Sequence, residues 1–416
     1  MSHRRAFAQA VLLFVASCLG DPAPATAQRL AYQVDTPSGS SFGVVDLSTG
    51  ALVPASRDEA QVGAVFTSDG QFAVSAVSGG VVVRHMPTGT ESTVGVDFRP
   101  VLAHPRQPML FGYADRYDLA RLDSRGLARW KPCPATTSAL PFDVSLDGRE
   151  LFVACPSNEI VVLDTDTGTA VRRLAVPTPI RFLAVNAADE LVVQRVVPGP
   201  SPYEVARLNA SNGQELASRS SLVNVARTGS RRQLMEFNAS ATPGIEGEYR
   251  LVDSATLTVS RPLGNYLTLS ARVFVSPDGR EAVFNTSGYS VYTRSQVRRL
   301  DVATGEILSS VVMDLGQRIA VSVTPVPLAP VSPTAIVAGS TVTLSWQLPR
   351  ESPLATAYRL DLGSAPGASD LGTITLGSDE TLRASGVPPG RYYVRVRAVN
   401  ATGVSAPSTE VLVEVP

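Results

Sequence analysis

Histidine, the side chain best suited to proton transfer near neutral pH, stands at only three positions, His3, His85 and His104. Zinc and copper centres draw several imidazoles or thiolates to one point, so no histidine-based metal site is expected. The same scarcity weakens Ser-His-Asp chemistry, and no Gly-x-Ser-x-Gly nucleophile elbow stands in a strand-to-helix context. A Cys-x-x-Cys-His haem attachment and a phosphate-cradling P-loop are absent. These patterns lead us to expect no catalytic residue, no metal and no cofactor. Asp164-Thr165-Asp166-Thr167-Gly168 spaces two carboxylates as a calcium loop does, yet lacks the further oxygen ligands and the distal glutamate. A plain hairpin turn is the competing reading of those five residues. Carboxylate-pair catalysis would have to draw on groups such as Asp115, Glu246 and Glu248.

Cysteine usage depends on compartment. Arg4-Arg5, the apolar run Ala10 to Ala16 and the small residues Ala25-Thr26-Ala27 have the order of an export signal. Residues 1–27 are therefore expected to be a signal peptide cleaved before Gln28, and the mature protein to be secreted or periplasmic. Val15-Ala16-Ser17-Cys18 also resembles a bacterial lipobox, which leaves open an outer-membrane lipoprotein anchored through Cys18. The apolar run is too short for a durable transmembrane helix, and no later stretch reaches that length. Cys133 and Cys155 remain, each beside a proline, and an oxidising compartment favours one disulfide between them. Two separate buried thiols are the alternative.

Bulk composition narrows the partners. The chain is 44% hydrophobic and 18% charged with a formal net charge of −1, which argues against nucleic acid, a partner that needs a concentrated basic surface. Lys131 is the single lysine, so nearly every cation is arginine. Arginine forks suit carboxylate or phosphate recognition, and a general compositional preference for arginine accounts for the same count.

These residues are mounted on a repeat. Val45-Asp46-Leu47-Ser48-Thr49-Gly50 returns at Met86-Pro87-Thr88-Gly89, Leu122 to Gly126, Leu163 to Gly168, Leu208 to Gly213, Val252 to Leu257 and Leu300 to Gly305. The turns are 37 to 48 residues apart, a period that belongs to radial β-repeat architectures. Within the fourth copy, Phe142 to Ser145, Leu151 to Ala154, Ile160 to Leu163 and Ala170 to Leu174 read as four strands separated by Gly/Asp turns. The first copy lacks an innermost strand, while Ile319 to Val323 is surplus to the last. That strand is expected to latch the first and last copies into a closed ring.

Ser276-Pro277-Asp278-Gly279, an apolar strand and then Asp-x-x-Thr-Gly resemble the YVTN-type β-propellers, relatives of the WD-repeat propellers. The resemblance implies an all-β, seven-bladed β-propeller with a 3+1 strand latch over residues 28–324. Pro325 to Pro330 opens a proline-rich linker, 325–333. Residues 334–416 resemble a fibronectin type III β-sandwich: Val342 to Trp346 is a strand with a core tryptophan, and Tyr392 occupies the tyrosine-corner place with Val394 and Val396 inward.

Function is sought where the copies differ. The loops between second and third strands are longest in the fifth to seventh copies and share one end of the sheets. Arg116, Tyr117, Tyr203, Tyr289, Tyr292 and Arg294 lie in or beside these loops and are the expected binding residues. The expected protein is a monomeric, non-catalytic binding or scaffold protein that docks a protein or glycan at the cell envelope or outside it. A carbohydrate-active or lactonase-like propeller enzyme and a structural surface protein are the alternatives.

Overall fold

The computed structural model describes residues 29–36, 39–46, 52–55, 64–77, 79–115, 117–134, 138–199, 202–228, 230–238, 247–266, 268–275, 281–288, 295–313, 322–323 and 326–416. The expected signal peptide, with Cys18, lies outside them. Every regular element among them is a β-strand, and no helix is present to cross a membrane. Two compact units emerge, one of Gln28–Ser68 with Phe72–Thr324, the other centred on Pro325–Pro416.

The larger unit contains seven four-stranded antiparallel sheets among the described residues. The fourth shows their logic, with strands Phe142–Val144, Glu150–Cys155, Glu159–Asp164 and Ala170–Ala175 in sequence order. Its middle strands are buried on both faces. Leu151, Val153, Val161 and Leu163 pack against Phe111 and Leu119 of the third sheet. Phe152, Ala154, Ile160 and Val162 pack against Leu183, Val193 and Ala206 of the fifth. Alternation along a strand thus feeds two neighbouring sheets, which is why these strands read as unbroken apolar runs. The fourth strand borders solvent and keeps mainly Leu174 inward. In the first sheet, Arg29–Thr36, Gly39–Asp46 and Leu52–Ala55 are joined by Ser322–Val323, with Leu30 opposite Val323 and Ala31 opposite Ser322. Residues 319–321 of the expected latch strand lie outside the described residues.

The recurring turn is an Asx turn. Asp164 Oδ1 accepts the Asp166 N–H at 3.1 Å, the Thr167 N–H at 2.8 Å and the Thr167 hydroxyl at 2.8 Å. Asp301 does the same for Thr304, at 2.6 Å from the N–H and 3.0 Å from the hydroxyl. The backbone and hydroxyl bonds of the threonine hold both carboxyls below the ordinary aspartate range. Asp164 is therefore spent on its own hairpin, and Asp166 faces Arg125 at 3.5 Å.

The turns of the fourth to seventh sheets also dock on the sheet before them through arginine. Arg121 donates to the carbonyls of Thr165 and Asp166, the first at 3.3 Å. Arg172 donates to the Ala210 carbonyl at 2.9 Å, Arg219 to Leu257, and Arg261 to Val302 at 3.0 Å and to Ala303. Gly168, at φ 71°, lies where a Cβ would overlap the Trp130 indole of the preceding sheet. Gly126, at φ 107°, has open space around it. We expect Gly168→Ala to lower the unfolding free energy by about 3 kcal/mol, strain and overlap combined, and Gly126→Ala by about 1–2 kcal/mol from strain alone. Denaturant unfolding of the two variants measures the difference, and equal losses would remove the docking contribution.

His104 is the buried imidazole of a similar joint. Its Nδ1 accepts the Arg106 N–H at 3.0 Å, its ring hydrogen-bonds the Gly148 backbone, and a Cβ on Gly148 would overlap it. Burial pushes its pKa below the ordinary value of 6.5, against the opposing pull of Gly148, Asp166 and Asp147. The unfolded imidazole takes up a proton as pH falls through about 6.5 and the folded one resists it. Stability from this group is therefore complete above that pH and declines below it. Between about pH 7.5 and 5.5 the wild-type melting temperature should fall, and the slope should be shallower in His104→Gln.

The C-terminal unit packs two sheets about one core. Val331–Ala338, Thr341–Gln347 and Thr381–Ala384 form one; Gly372–Leu376, Ala357–Gly363, Gly390–Asn400, Gly403–Val404 and Val411–Val415 form the other. Trp346, Tyr358, Leu360, Val394 and Val396 share the core between them. The Tyr392 hydroxyl donates to the Pro388 carbonyl at 2.9 Å. Val331 already begins a strand, so the stretch read as linker, 325–333, ends earlier than expected. Proline at 333 is accommodated because the register with Thr341–Gln347 slips between Val331 and Thr334.

Candidate functional site

In the larger unit the first strands of four consecutive sheets, Arg99–Ala103, Phe142–Val144, Ile180–Val185 and Asn224–Arg227, line a common passage. Asp143 is its hub. One carboxylate oxygen accepts the Val144 N–H and the other the Val185 N–H, each at 2.8 Å. Arg227 and Arg231 flank it at 3.5 and 3.6 Å. Arg227 also donates to the carbonyls of Phe142 and Leu183, the latter at 2.9 Å, and Arg231 to Val185 at 3.0 Å. The first strands of the fourth, fifth and sixth sheets are thus tied by one buried carboxylate and two guanidiniums.

Toward the end that bears the second-to-third-strand loops, the passage opens into a hollow of about 250 Å³. Tyr113, Arg181 and Arg227 bring polar groups to it, and Val101, Phe142 and Phe182 bring apolar wall. The Tyr113 hydroxyl donates to the Leu140 carbonyl at 2.6 Å. Arg99 stands over the Tyr113 ring at 5.3 Å, and Arg181 over Tyr203 at 5.2 Å. A second hollow of about 320 Å³ lies beyond the Leu140 connection, lined by Tyr117, Trp130, Lys131 and Cys133. Cys133 and Cys155 are disulfide-bonded with Cα atoms 5.6 Å apart, which ties this connection to the fourth sheet.

Of the residues singled out from sequence, Tyr203 and Tyr117 fall beside different hollows. Arg116, Tyr289, Tyr292 and Arg294 lie outside the described residues. Tyr203 is brought together with Arg181, a residue the loop argument passes over because it sits inside a strand. Arg99, Asp143 and Arg227 were missed for the same reason. Their signal is present in hindsight, since each is a charged residue set in a short strand whose other members are largely apolar.

The acids named for the enzyme alternative do not converge. Asp115 pairs with Arg129 in the third sheet, Glu248 pairs with Arg250 at 3.4 Å in the sixth, and Glu246 lies outside the described residues. Asp143 is the one acid among the described lining residues of the passage. Among the described residues no three of His, Cys, Asp and Glu gather as a metal cage.

No protein-family model and no curated protein matches the chain. Solved structures resemble it in strand arrangement. A putative 6-phosphogluconolactonase from Bacteroides fragilis is 15% identical with a TM-score of 0.48, covering 73% of this chain and 100% of that one. The β-propeller domain of Myceliophteria thermophila Cps50 (Swd1) is 12% identical with a TM-score of 0.43, covering 66% and 96%. The Neurospora crassa Pan2 WD40 domain is 11% identical with a TM-score of 0.42, covering 77% and 90%. Similarity at this level carries no argument about chemistry.

The hub makes a stability claim. Asp143→Asn keeps one acceptor oxygen, sets its NH2 against the N–H that the other oxygen accepted, and leaves Arg227 and Arg231 without their counter-charge, and should cost about 2 kcal/mol or more. Asp115→Asn, in a half-exposed pair, should cost less than about 1 kcal/mol. Chemical denaturation of both variants tests the contrast, and equal effects would deny Asp143 its role.

Proposed function

We propose that the chain is an exported, non-catalytic binding or scaffold protein: a seven-bladed β-propeller closed by a 3+1 strand latch, followed by a fibronectin type III domain. It presents the loop end of the sheets to a protein or glycan at the cell envelope or outside it, as a monomer. The observation that carries this reading is the Arg181–Tyr203 pair at the rim of the arginine-bearing hollow, since arginine and tyrosine together are the side chains that anchor interfaces. Export rests on the Arg4-Arg5, apolar and Ala25-Thr26-Ala27 segments, and the closed ring on the 37 to 48 residue period together with the Leu30–Val323 pairing. The hydrolytic alternative lacks support because Asp143, the acid of the passage, is bonded to two backbone N–H groups and two arginines.

A glycan array and cross-linked capture from an envelope fraction, run with wild type and with Arg181→Ala/Tyr203→Ala, test the reading. A ligand retained by the wild type should be held about tenfold more weakly by the variant, whose melting temperature stays unchanged. Equal retention would defeat the assignment. Turnover of lactones or polysaccharides by the wild type would replace it with the enzyme alternative.

A further inference from the structure

The inner strands of the sheets carry a charge imbalance. In the seven first strands, Val65–Phe66, Arg99–Ala103, Phe142–Val144, Ile180–Val185, Asn224–Arg227, Thr268–Val275 and Ser322–Val323, the charged residues are Arg99, Asp143, Arg181, Arg227 and Arg272. Among the described side chains these are three cations, Arg99, Arg181 and Arg227, and one anion, in a chain whose formal net charge is −1. Asp143 is already engaged by Arg227 and Arg231. Arg99 and Arg181 have no carboxylate partner among the described residues, and each lies over a tyrosine ring instead. Stacking fixes the plane of a guanidinium without consuming its N–H donors, which stay available to a planar acceptor. Burial raises the Tyr113 hydroxyl pKa while Arg227 and Arg99 lower it, so both cations act on the same hollow.

We propose that this hollow binds an oxyanion carried on a compact apolar body, with Arg99 and Arg181 supplying charge and donors and Val101, Phe142 and Phe182 the apolar seat. The inference rests on the binding reading above and deepens it: the oxyanion is the part of the partner that enters the ring. A carboxylate and a phosphate ester share this chemistry, since both present coplanar oxygens to a guanidinium fork. The two aromatic probes below distinguish them.

The experiment is calorimetric titration of the full chain at low salt with benzoate, phenyl phosphate, inorganic phosphate and benzyl alcohol. Benzoate or phenyl phosphate should bind saturably at one site, and the tighter of the two identifies the carboxylate or phosphate source. Benzyl alcohol and inorganic phosphate, each lacking one half of the recognition, should bind about tenfold more weakly or less. Arg181→Gln should weaken the aromatic oxyanion about fivefold or more, and added salt should do the same. Arg149→Gln, on an exposed turn, should not change it. Arg99→Gln provides a second variant, and circular dichroism verifies the fold of each. No saturable binding of either aromatic oxyanion, equal binding of benzyl alcohol, or wild-type affinity in both Arg181→Gln and Arg99→Gln would overturn the inference. Retention of a macromolecular ligand without probe binding would overturn it while leaving the docking reading intact. Probe binding with no retained macromolecule would support it and defeat docking alone.

Discussion

The arginine bond from one sheet to the turn carbonyls of the next is the interaction on which the larger unit depends. Apolar faces press neighbouring sheets together, but such contact is non-directional and lets one sheet slide on another. A tight hairpin turn, meanwhile, leaves carbonyls pointing outward that must find donors. Arg121, Arg172, Arg219 and Arg261 answer both needs at four successive boundaries. The guanidiniums are themselves held in place. Asp123 and Glu150 pair with Arg121 and Arg172 from the same sheet as the arginine, and Glu236 pairs with Arg219 from the sheet that follows. Glu236 is buried, with Arg250 on its second oxygen at 2.8 Å, so Arg219 is held across the boundary by a carboxylate as well as by the Leu257 carbonyl.

What the chain reveals without coordinates divides by sequence distance. The Asp-x-x-Thr turn is legible because all its partners lie within three residues. Strand order in the larger unit is legible because, the Ser322–Val323 strand apart, the strands of each sheet pair in sequence order. The staples are not, since Arg219 reaches a carbonyl 38 residues on and Arg121 one 45 residues on. The Asp143 hub is hidden more deeply, for Val185 is 42 residues away and Arg227 meets Phe142 across 85. The candidate site follows the same rule. Tyr203 is visible as a loop-end aromatic, whereas Arg181, its partner, looks like an interruption in an apolar strand.

One turn departs from the pattern. Leu257 takes the place that glycine holds in the other described turns, at φ 59°. A leucine there is strained by about 1–2 kcal/mol. Its side chain is 2% exposed and packs with Val192, Val205 and Leu234, a burial of about 2 kcal/mol that offsets the strain. The turn requirement is therefore a free-energy condition rather than a residue rule.

The pairing of Ser322–Val323 with Arg29–Thr36 has a mechanical meaning. Among the described residues two pairs join them, Leu30 with Val323 and Ala31 with Ser322. The first and last described strands of the larger unit lie in one sheet, so the two ends of its chain are held by a common ladder and neither can leave without opening it.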